Sequence, residues 1–241
     1  MAAQPRNNPP QVIPRPDRWE IGGSAPWTEL SVAERSVSLD TVLRRVAARG
    51  AGAYRQSSYR GQPTRQSAVL VPVYAGDGDG DGPTLILTRR AAHMRSHRHE
   101  VSFPGGRQDD EDASLQHTAL REAQEEIALC SDTVSIVGEL DRFVTGGSKS
   151  LVHPFVGHIA PPVDLVANPD EVELIRHVPL ADLLADDVWR EEHWTRDGHT
   201  ITITFFELDG DTVWGATAVM LRQLLSVALG IEGNQNRQEW G

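Results

Sequence analysis

The stretch that decides the fold runs from residue 103 to residue 129 and reads Phe103-Pro-Gly-Gly-Arg-Gln-Asp-Asp-Glu-Asp-Ala-Ser-Leu-Gln-His-Thr-Ala-Leu-Arg-Glu-Ala-Gln-Glu-Glu-Ile-Ala-Leu129. The apolar residues of its second half have the spacing of a helix and predict one over residues 114–127. Glu122, Glu125 and Glu126 are spaced i, i+3 and i+4, so a helix places them on one face. The stretch therefore predicts a helix that carries a concentrated group of carboxylates.

These carboxylates need a counter-charge, because like charges at this spacing repel by a few tenths of a kcal/mol per pair. Arg121 can pair with Glu125, but one guanidinium cannot neutralise three carboxylates. Mg²⁺ can, since it binds carboxylate oxygens and shares its other positions between water and substrate phosphates. Upstream, Gly105 and Gly106 predict a turn without side chains, where phosphates can approach the backbone. A solvated acidic face is the alternative, but the ordered string of glycines, arginine and carboxylates favours a metal and phosphate site.

Composition limits the classes of partner. The chain has 241 residues, with 23 Lys plus Arg against 34 Asp plus Glu and a net charge of −11. So acidic a chain argues against binding a nucleic acid polymer, which needs a broad basic surface. No stretch approaches the ~20 apolar residues that span a bilayer, and the first thirty residues lack the apolar region of a secretory signal. We expect a cytoplasmic protein with no membrane partner.

The distribution of proline and apolar residues predicts one domain with two tails. Residues 1–26 carry six prolines and predict an extended, mobile tail. Residues 27–232 predict a single domain with its core at 65–230, and residues 233–241 a polar tail. The predicted strands lie at 68–74, 84–88, 134–143, 151–159, 172–178 and 200–208, and the predicted helices at 30–51, 114–127, 179–185 and 215–229. A mixed sheet flanked by helices, of the α/β type, follows.

The acidic helix resembles the Nudix box, which reads Gly, five residues, Glu, seven residues, then Arg-Glu-apolar-any-Glu-Glu-any-Gly-apolar. The segment Arg121–Leu129 matches the second half except for Ala128 in the Gly position. The first half departs further, because Asp112 replaces Glu and eight residues separate it from Arg121. The chain is thus identified as a member of the Nudix hydrolase superfamily, with the metal-binding half of the box intact.

A second motif resembles the signature of the coenzyme A pyrophosphatase branch, Leu-Thr-any-Arg-Ser/Ala, three residues, Arg, three residues, Gly, three residues, Phe-Pro-Gly-Gly. Here it begins at Leu87-Thr88-Arg89-Arg90-Ala91 and ends at Phe103-Pro-Gly-Gly106. Every fixed position matches except that His99 stands where Gly is expected. Arginines of this stretch suit phosphate recognition, because guanidinium groups bind phosphate in a bidentate manner; pairing with surface carboxylates is the alternative.

The resemblance implies a Nudix-type α/β/α sandwich (α+β) with a mixed β-sheet, and Mg²⁺ or Mn²⁺ as the cofactor. It implies metal ligands at Glu122, Glu125 and Glu126, and catalytic roles for Arg121, Glu125 and Glu126. The implied substrate-binding residues are Arg89, Arg90, Arg95, Gly105 and Gly106. The candidates for an outer ligand or base are Asp112, Glu171 and Glu173.

The implied activity is metal-dependent hydrolysis of the pyrophosphate bond of coenzyme A or acyl-coenzyme A, giving 3′,5′-ADP and (acyl-)4′-phosphopantetheine. Two alternatives stay open. One is a Nudix pyrophosphatase for another nucleoside diphosphate derivative, such as ADP-ribose or NADH. The other is a catalytically silent, nucleotide-binding regulator. The expected partner is a small, phosphate-rich nucleotide, and a homodimer is compatible with the sequence.

Overall fold

The computed structural model describes residues 11–55, 62–76, 82–94, 97–161, 163–196 and 198–231. The strands in this part of the chain are β1 (Trp19–Ile21), β2 (Arg65–Ala75), β3 (Pro83–Arg90), β4 (Val101–Ser102), β5 (Gly105–Arg107), β6 (Val134–Glu139), β7 (Phe143–Val144), β8 (Ser150–Ile159), β9 (Val172–Pro179), β10 (Trp189–Arg196), β11 (His199–Leu208) and β12 (Asp211–Val213). The helices are α1 (Val32–Arg35), α2 (Leu39–Arg49), α3 (Leu115–Ile127), α4 (Leu180–Leu183) and α5 (Gly215–Leu229), with a 3₁₀ turn at Ser131–Thr133.

The larger sheet has the strand order β4-β3-β2-β8-β6, with β9 paired to β3, β5 to β2 and β7 to β8. Strands β2 and β8 run parallel, and the other pairs of this sheet are antiparallel. The predicted mixed sheet of an α+β fold is therefore confirmed. Helix α3 packs against β2 and β5, so the part of the sheet where these strands pair positions the acidic helix.

Both faces of the sheet are covered, because successive side chains of its strands point to opposite sides. Leu70 and Ile86 pack with α3, whose buried residues include Ala123. Their neighbours Val71 and Leu87 face the opposite core, which α2 and α5 fill. The small alanine side chains of α3 let that helix lie close to the sheet, which holds its carboxylates near the β2–β5 edge.

A second sheet of four antiparallel strands, β1-β10-β11-β12, was only partly predicted. Strand β10 was missed because it is rich in charged residues, and such strands do not show an apolar pattern. Those charges are buried in ion pairs: Arg190 donates to Glu207 at 2.8 Å, and it also pairs with Glu192. Because Glu207 of β11 neutralises Arg190 of β10, the charged sequence of β10 can form a buried strand.

The segment predicted to be an amino-terminal tail contains strand β1, which pairs with β10 through Trp19 and Trp194. The backbone amide of Gly22 donates to the carbonyl of Glu191 at 2.8 Å. The predicted boundary at residue 27 remains a prediction, and residues 1–10 and 232–241 lie outside the described residues.

The helix predicted over residues 30–51 is divided into α1 and α2, since two serines each begin a helix. The side chain of Ser31 accepts from the amide of Glu34, and that of Ser38 accepts from Thr41. The helix predicted over residues 114–127 is confirmed as α3, with Ser114 as its N-cap. Within the described ranges, every helix is too short or too polar to cross a bilayer.

Candidate active site

The three carboxylates of α3 lie in very different surroundings. Glu126 is buried, with 3% of its surface exposed, whereas the side chain of Glu125 is 55% exposed. Glu122 lies between these extremes, with 16% of its side chain exposed. The helix therefore presents a gradient from a buried carboxylate to a solvated one, and the two less exposed groups form the inner part of the site.

Glu126 has the most unusual environment of the three. Burial raises the pKa of its carboxyl to about 8; the positive charge of Arg90 opposes this rise, while the charges of Glu122 and Glu171 add to it. Its Oε1 lies 4.0 Å from Arg90 Nη1. Among the described residues, Oε2 is buried and has no hydrogen-bond partner. A buried carboxylate oxygen without a partner is costly, and a cation at this point would satisfy it.

Glu122 is held against β5, because Gly105 and Gly106 form part of this short strand and pair with β2 where a turn was predicted. A Cβ atom on Gly106 would collide with the Glu122 carboxylate, and one on Gly105 would collide with the backbone of Ala68 and Val69 in β2. Only glycine permits this close approach. Burial raises the pKa of Glu122, and Arg121, which donates to its Oε1 at 2.9 Å, opposes that rise. The space predicted for phosphates at Gly106 is therefore filled by the Glu122 carboxylate, and the two glycines form a closely packed edge.

Asp112 is the buried carboxylate that holds the Arg121 side chain in place. Its side chain, with only 2% of its surface exposed, accepts from Arg121 Nε and Nη2 at 3.0 Å each, and also from the Thr118 hydroxyl and the Asp109 amide. The bonds from Arg121 hold the pKa of Asp112 well below its usual range. Arg121 in turn donates to Glu125 at 2.9 Å. Asp112 thereby fixes an arginine that spans the carboxylates.

The predicted strip of arginines is divided by the structure. Arg90 lies beside Glu126, but Arg89 contacts Glu173 at 3.2 Å and the buried Asp211 at 3.3 Å. Asp211 was not predicted, since it lies 122 residues from Arg89 in the chain and nothing in its local sequence signals the pairing. Arg95 lies outside the described residues. Of the two predicted arginines that the structure describes, Arg90 therefore lies at the acidic helix and Arg89 does not.

The two candidate outer carboxylates, Glu171 in the turn before β9 and Glu173 in β9, have different partners. The turn that carries Glu171 is bonded to α3, because the Asn168 amide donates to the Glu126 carbonyl at 2.9 Å, and the charge of Glu171 contributes to the raised pKa values of Glu122 and Glu126. Its backbone carbonyl accepts from the amide of Ala91 at 2.8 Å, which fixes this turn against the end of β3. Glu173 instead contacts Arg89. Glu171 is therefore the outer carboxylate that joins the acidic helix.

A model of the NUDIX domain matches residues 64–200, which include the larger sheet with its short strand β5 and the acidic helix. The chain belongs to the Nudix family. The uncharacterized Nudix hydrolase NudL of Photorhabdus laumondii is 38% identical over 160 residues, covering 66% of this chain and 83% of that protein. The Yersinia pestis protein of the same name is 35% identical over 170 residues, covering 70% of this chain and 82% of that protein.

Membership in this family makes the chain a pyrophosphohydrolase of phosphoanhydride bonds. Among solved structures, the Ap4A hydrolase of C. elegans in a binary complex is 18% identical, with a TM-score of 0.41, covering 52% of this chain and 86% of that one. That likeness is too low to add to the assignment.

Two departures from the Nudix and branch patterns occupy backbone positions of the same kind. Ala128, in the Gly position of the box, has φ 54° and ψ 26° and ends α3 in the left-handed conformation. His99, in the Gly position of the second signature, has φ 57°. These positions favour glycine because other residues are strained there. The residues Ala128 and His99 do not themselves indicate a left-handed backbone. The glycines that the family patterns have at these two positions do indicate it.

We expect Ala128→Gly to stabilise the protein by about 0.5–1 kcal/mol, because glycine adopts the left-handed cap without steric strain. Chemical denaturation followed by fluorescence checks this. Ala123→Gly is the matched control: it lies within the buried face of the same helix, and it should destabilise by about 1 kcal/mol or more. An Ala128→Gly variant less stable than the wild type would contradict the strain at this cap.

The acidic groups fit a divalent cation, on which Nudix hydrolases generally depend. Within the described residues, no three His, Cys, Asp or Glu side chains form a ready-made cage of ligands. Mg²⁺ does not require one, because one or two carboxylates suffice when water and substrate phosphates complete its octahedron. Within the described residues, the buried Oε2 of Glu126 has no hydrogen-bond partner, and it and the largely buried carboxylate of Glu122 supply donors of this type.

Proposed function

We propose that this Nudix hydrolase cleaves the pyrophosphate bond of coenzyme A or acyl-coenzyme A, giving 3′,5′-ADP and (acyl-)4′-phosphopantetheine. The observation that carries this proposal is the 4.0 Å approach of Arg90 to Glu126. Arg90 is the fixed arginine at the start of the signature that resembles the coenzyme A branch, and Glu126 belongs to the Nudix box. The recognition motif and the acidic helix therefore share one site, as a pyrophosphate substrate would require.

Glu122 and Glu126 are the residues that would hold Mg²⁺ or Mn²⁺. When bound, the cation lowers the pKa of a water molecule and neutralises charge on the pyrophosphate oxygens. Glu125 is more exposed and already receives a hydrogen bond from Arg121, so we assign it to the outer part of the site. There it helps hold Arg121 across the carboxylates.

The protein's own groups then divide the remaining tasks. Arg90 binds a pyrophosphate oxygen and stabilises the negative charge that develops on it. Gly105 and Gly106 let the Glu122 carboxylate pack directly against β5, which fixes its position in the site. Glu171 accepts the proton of the attacking water at its carboxylate. It is the outer carboxylate beside the acidic helix, whereas Glu173 is paired with Arg89. The bond between phosphorus and the bridging oxygen breaks, and a phosphomonoester leaves.

A substrate panel tests this function. Purified protein is incubated with coenzyme A, acetyl-coenzyme A, ADP-ribose and NADH, each with Mg²⁺, Mn²⁺ or EDTA, and the products are separated by chromatography. We expect the highest kcat/KM with coenzyme A or its acyl derivative, and no turnover in EDTA. Cleavage confined to ADP-ribose or NADH would contradict the coenzyme A assignment and select another nucleoside diphosphate derivative, which the fold alone does not distinguish.

A further inference from the structure

His99 is attached directly to the candidate active site through the backbone. It lies in the segment between β3 and β4, where its amide donates to the carbonyl of Arg90 at 3.1 Å and the Arg90 amide donates to the carbonyl of Glu100 at 3.0 Å. Arg90 is the residue whose guanidinium approaches Glu126. The position of His99 is therefore fixed relative to the acidic helix, despite the left-handed backbone that it adopts.

A β-bulge orients the partner of His99. Arg89 is paired with Leu174 and Arg90 with Val172, so Glu173 is the extra residue between these two pairs. Bulges of this kind re-aim a side chain and are frequent beside active sites. Here the Glu173 carboxylate reaches both His99 Nδ1, at 2.8 Å, and Arg89 Nη2, at 3.2 Å. The bulge therefore places the Glu173 carboxylate where it contacts both His99 and Arg89.

The ion-pair network around Glu173 has His99 at one end. Arg89 also contacts the fully buried Asp211, which is paired with Arg176 as well. These two arginines and two carboxylates balance in charge, so Arg89 is held by protein groups and is poorly placed to bind a substrate phosphate. The His99 side chain is 24% exposed and that of Glu173 is 37% exposed, so this end of the network reaches solvent. Among the described residues, the imidazole ring of His99 makes a hydrogen bond through Nδ1 alone.

We propose that His99 is a specificity-determining residue that binds the phosphomonoester which coenzyme A carries in addition to its pyrophosphate. Its Nδ1 is hydrogen-bonded to Glu173, and its Nε2–H donates to an oxygen of that phosphate. The bond to Glu173 fixes the ring and directs its second nitrogen to the ligand. The inference rests on the proposed function for its substrate, and it explains why a strained backbone position holds histidine instead of glycine.

His97 provides a matched control within the same segment. It also has φ 57°, and its Nδ1 also pairs with a glutamate, Glu100, at 2.8 Å. Its side chain is 62% exposed, and its partner lies three residues away, so this pair stays within the local turn. Replacing either histidine by glycine removes an imidazole and relieves the same backbone conformation. A difference between the two variants therefore reports the location of the imidazole.

The test compares His99→Gly and His97→Gly with coenzyme A and with dephospho-coenzyme A, which lacks only the phosphomonoester. We expect His99→Gly to raise KM for coenzyme A about tenfold, the effect of one charge-assisted hydrogen bond, and to leave KM for dephospho-coenzyme A within about twofold. His97→Gly should change neither value. An equal rise with both substrates, or no rise with coenzyme A, would overturn the assignment. His99→Asn, which tolerates the left-handed backbone, should resemble His99→Gly.

Binding without turnover separates this inference from the proposed function. The dissociation constants of 3′,5′-ADP and 5′-AMP are measured by calorimetry in EDTA for the wild type and both glycine variants. We expect the wild type to prefer 3′,5′-ADP and His99→Gly to lose that preference. A wild type without the preference, or a preference unchanged in His99→Gly, overturns the role of His99. Failure to hydrolyse either form of coenzyme A would instead overturn the proposed function, whatever the binding result.

Discussion

Glu126→Gln lowers kcat/KM by at least about 1,000-fold, because the substitution removes the buried carboxylate that we assign to the metal. A bound metal stabilises the transition state by several kcal/mol, and each 1.36 kcal/mol changes the rate about tenfold. Steady-state hydrolysis at saturating Mg²⁺ or Mn²⁺ checks this. The control is Glu111→Gln, an exposed carboxylate in the loop before α3, which should retain wild-type turnover. Near-normal turnover in Glu126→Gln would contradict the proposed metal site.

The same variant has a pH signature in EDTA. The folded-state pKa of Glu126 is about 8, against an ordinary value of 4.5. Between these values the folded protein keeps a proton that the unfolded chain releases, so wild-type stability falls as the pH rises. Glutamine does not titrate, and Glu126→Gln should therefore gain stability relative to the wild type between pH 5 and pH 8. Denaturation midpoints at both pH values measure this gain, and a constant difference would contradict the buried carboxylate.

Asp112→Ala should destabilise the protein by about 3 kcal/mol, because it leaves Arg121 without its main buried partner. For a domain of this size we expect the melting temperature to fall by about 10 °C. Activity should also fall, since Arg121 is no longer held across Glu122 and Glu125. The control is Asp110→Ala, which removes an exposed carboxylate from the same loop and should change stability by less than about 0.5 kcal/mol.

The Asp112 effect has the opposite pH dependence to that of Glu126. The pKa of Asp112 is lowered in the folded state from its ordinary value of 3.8, chiefly by Arg121. The stability that this carboxylate contributes is therefore complete above pH 3.8 and is lost as the pH falls below it. The difference between the wild type and Asp112→Ala should shrink under acid conditions. A difference that is absent at pH 7 would show that Asp112 is not the anchor of Arg121.

The sequence was most informative where function and local structure depend on the same short stretch. The spacing of Glu122, Glu125 and Glu126 predicted a helix with its carboxylates on one face, and α3 has both features. The unequal burial of these groups could not be predicted. It depends on the packing of β5 and of the turn before β9 against the helix, and these segments are distant or irregular in the sequence.

Charged residues were the main source of missing or divided predictions. Strand β10 was missed because Arg190 and Glu192 look like surface residues until the partner strand supplies Glu207. Arg89 was predicted to bind substrate because it lies in an arginine-rich motif. Its actual partner, Asp211, belongs to a distant hairpin and could not be identified from the sequence. In each case the sequence gives the charge, but only the tertiary pairing decides whether that charge is available to a ligand.

The measurement that tests the central claim most directly is product analysis of coenzyme A hydrolysis in isotopically labelled water. The protein is incubated with coenzyme A and Mg²⁺ or Mn²⁺ in water enriched in oxygen-18. The masses of the products are then determined by mass spectrometry. The proposed function predicts equal amounts of 3′,5′-ADP and 4′-phosphopantetheine, with one heavy oxygen in one of the two phosphates. Intact coenzyme A, or release of inorganic phosphate with the pyrophosphate bond unbroken, would contradict it.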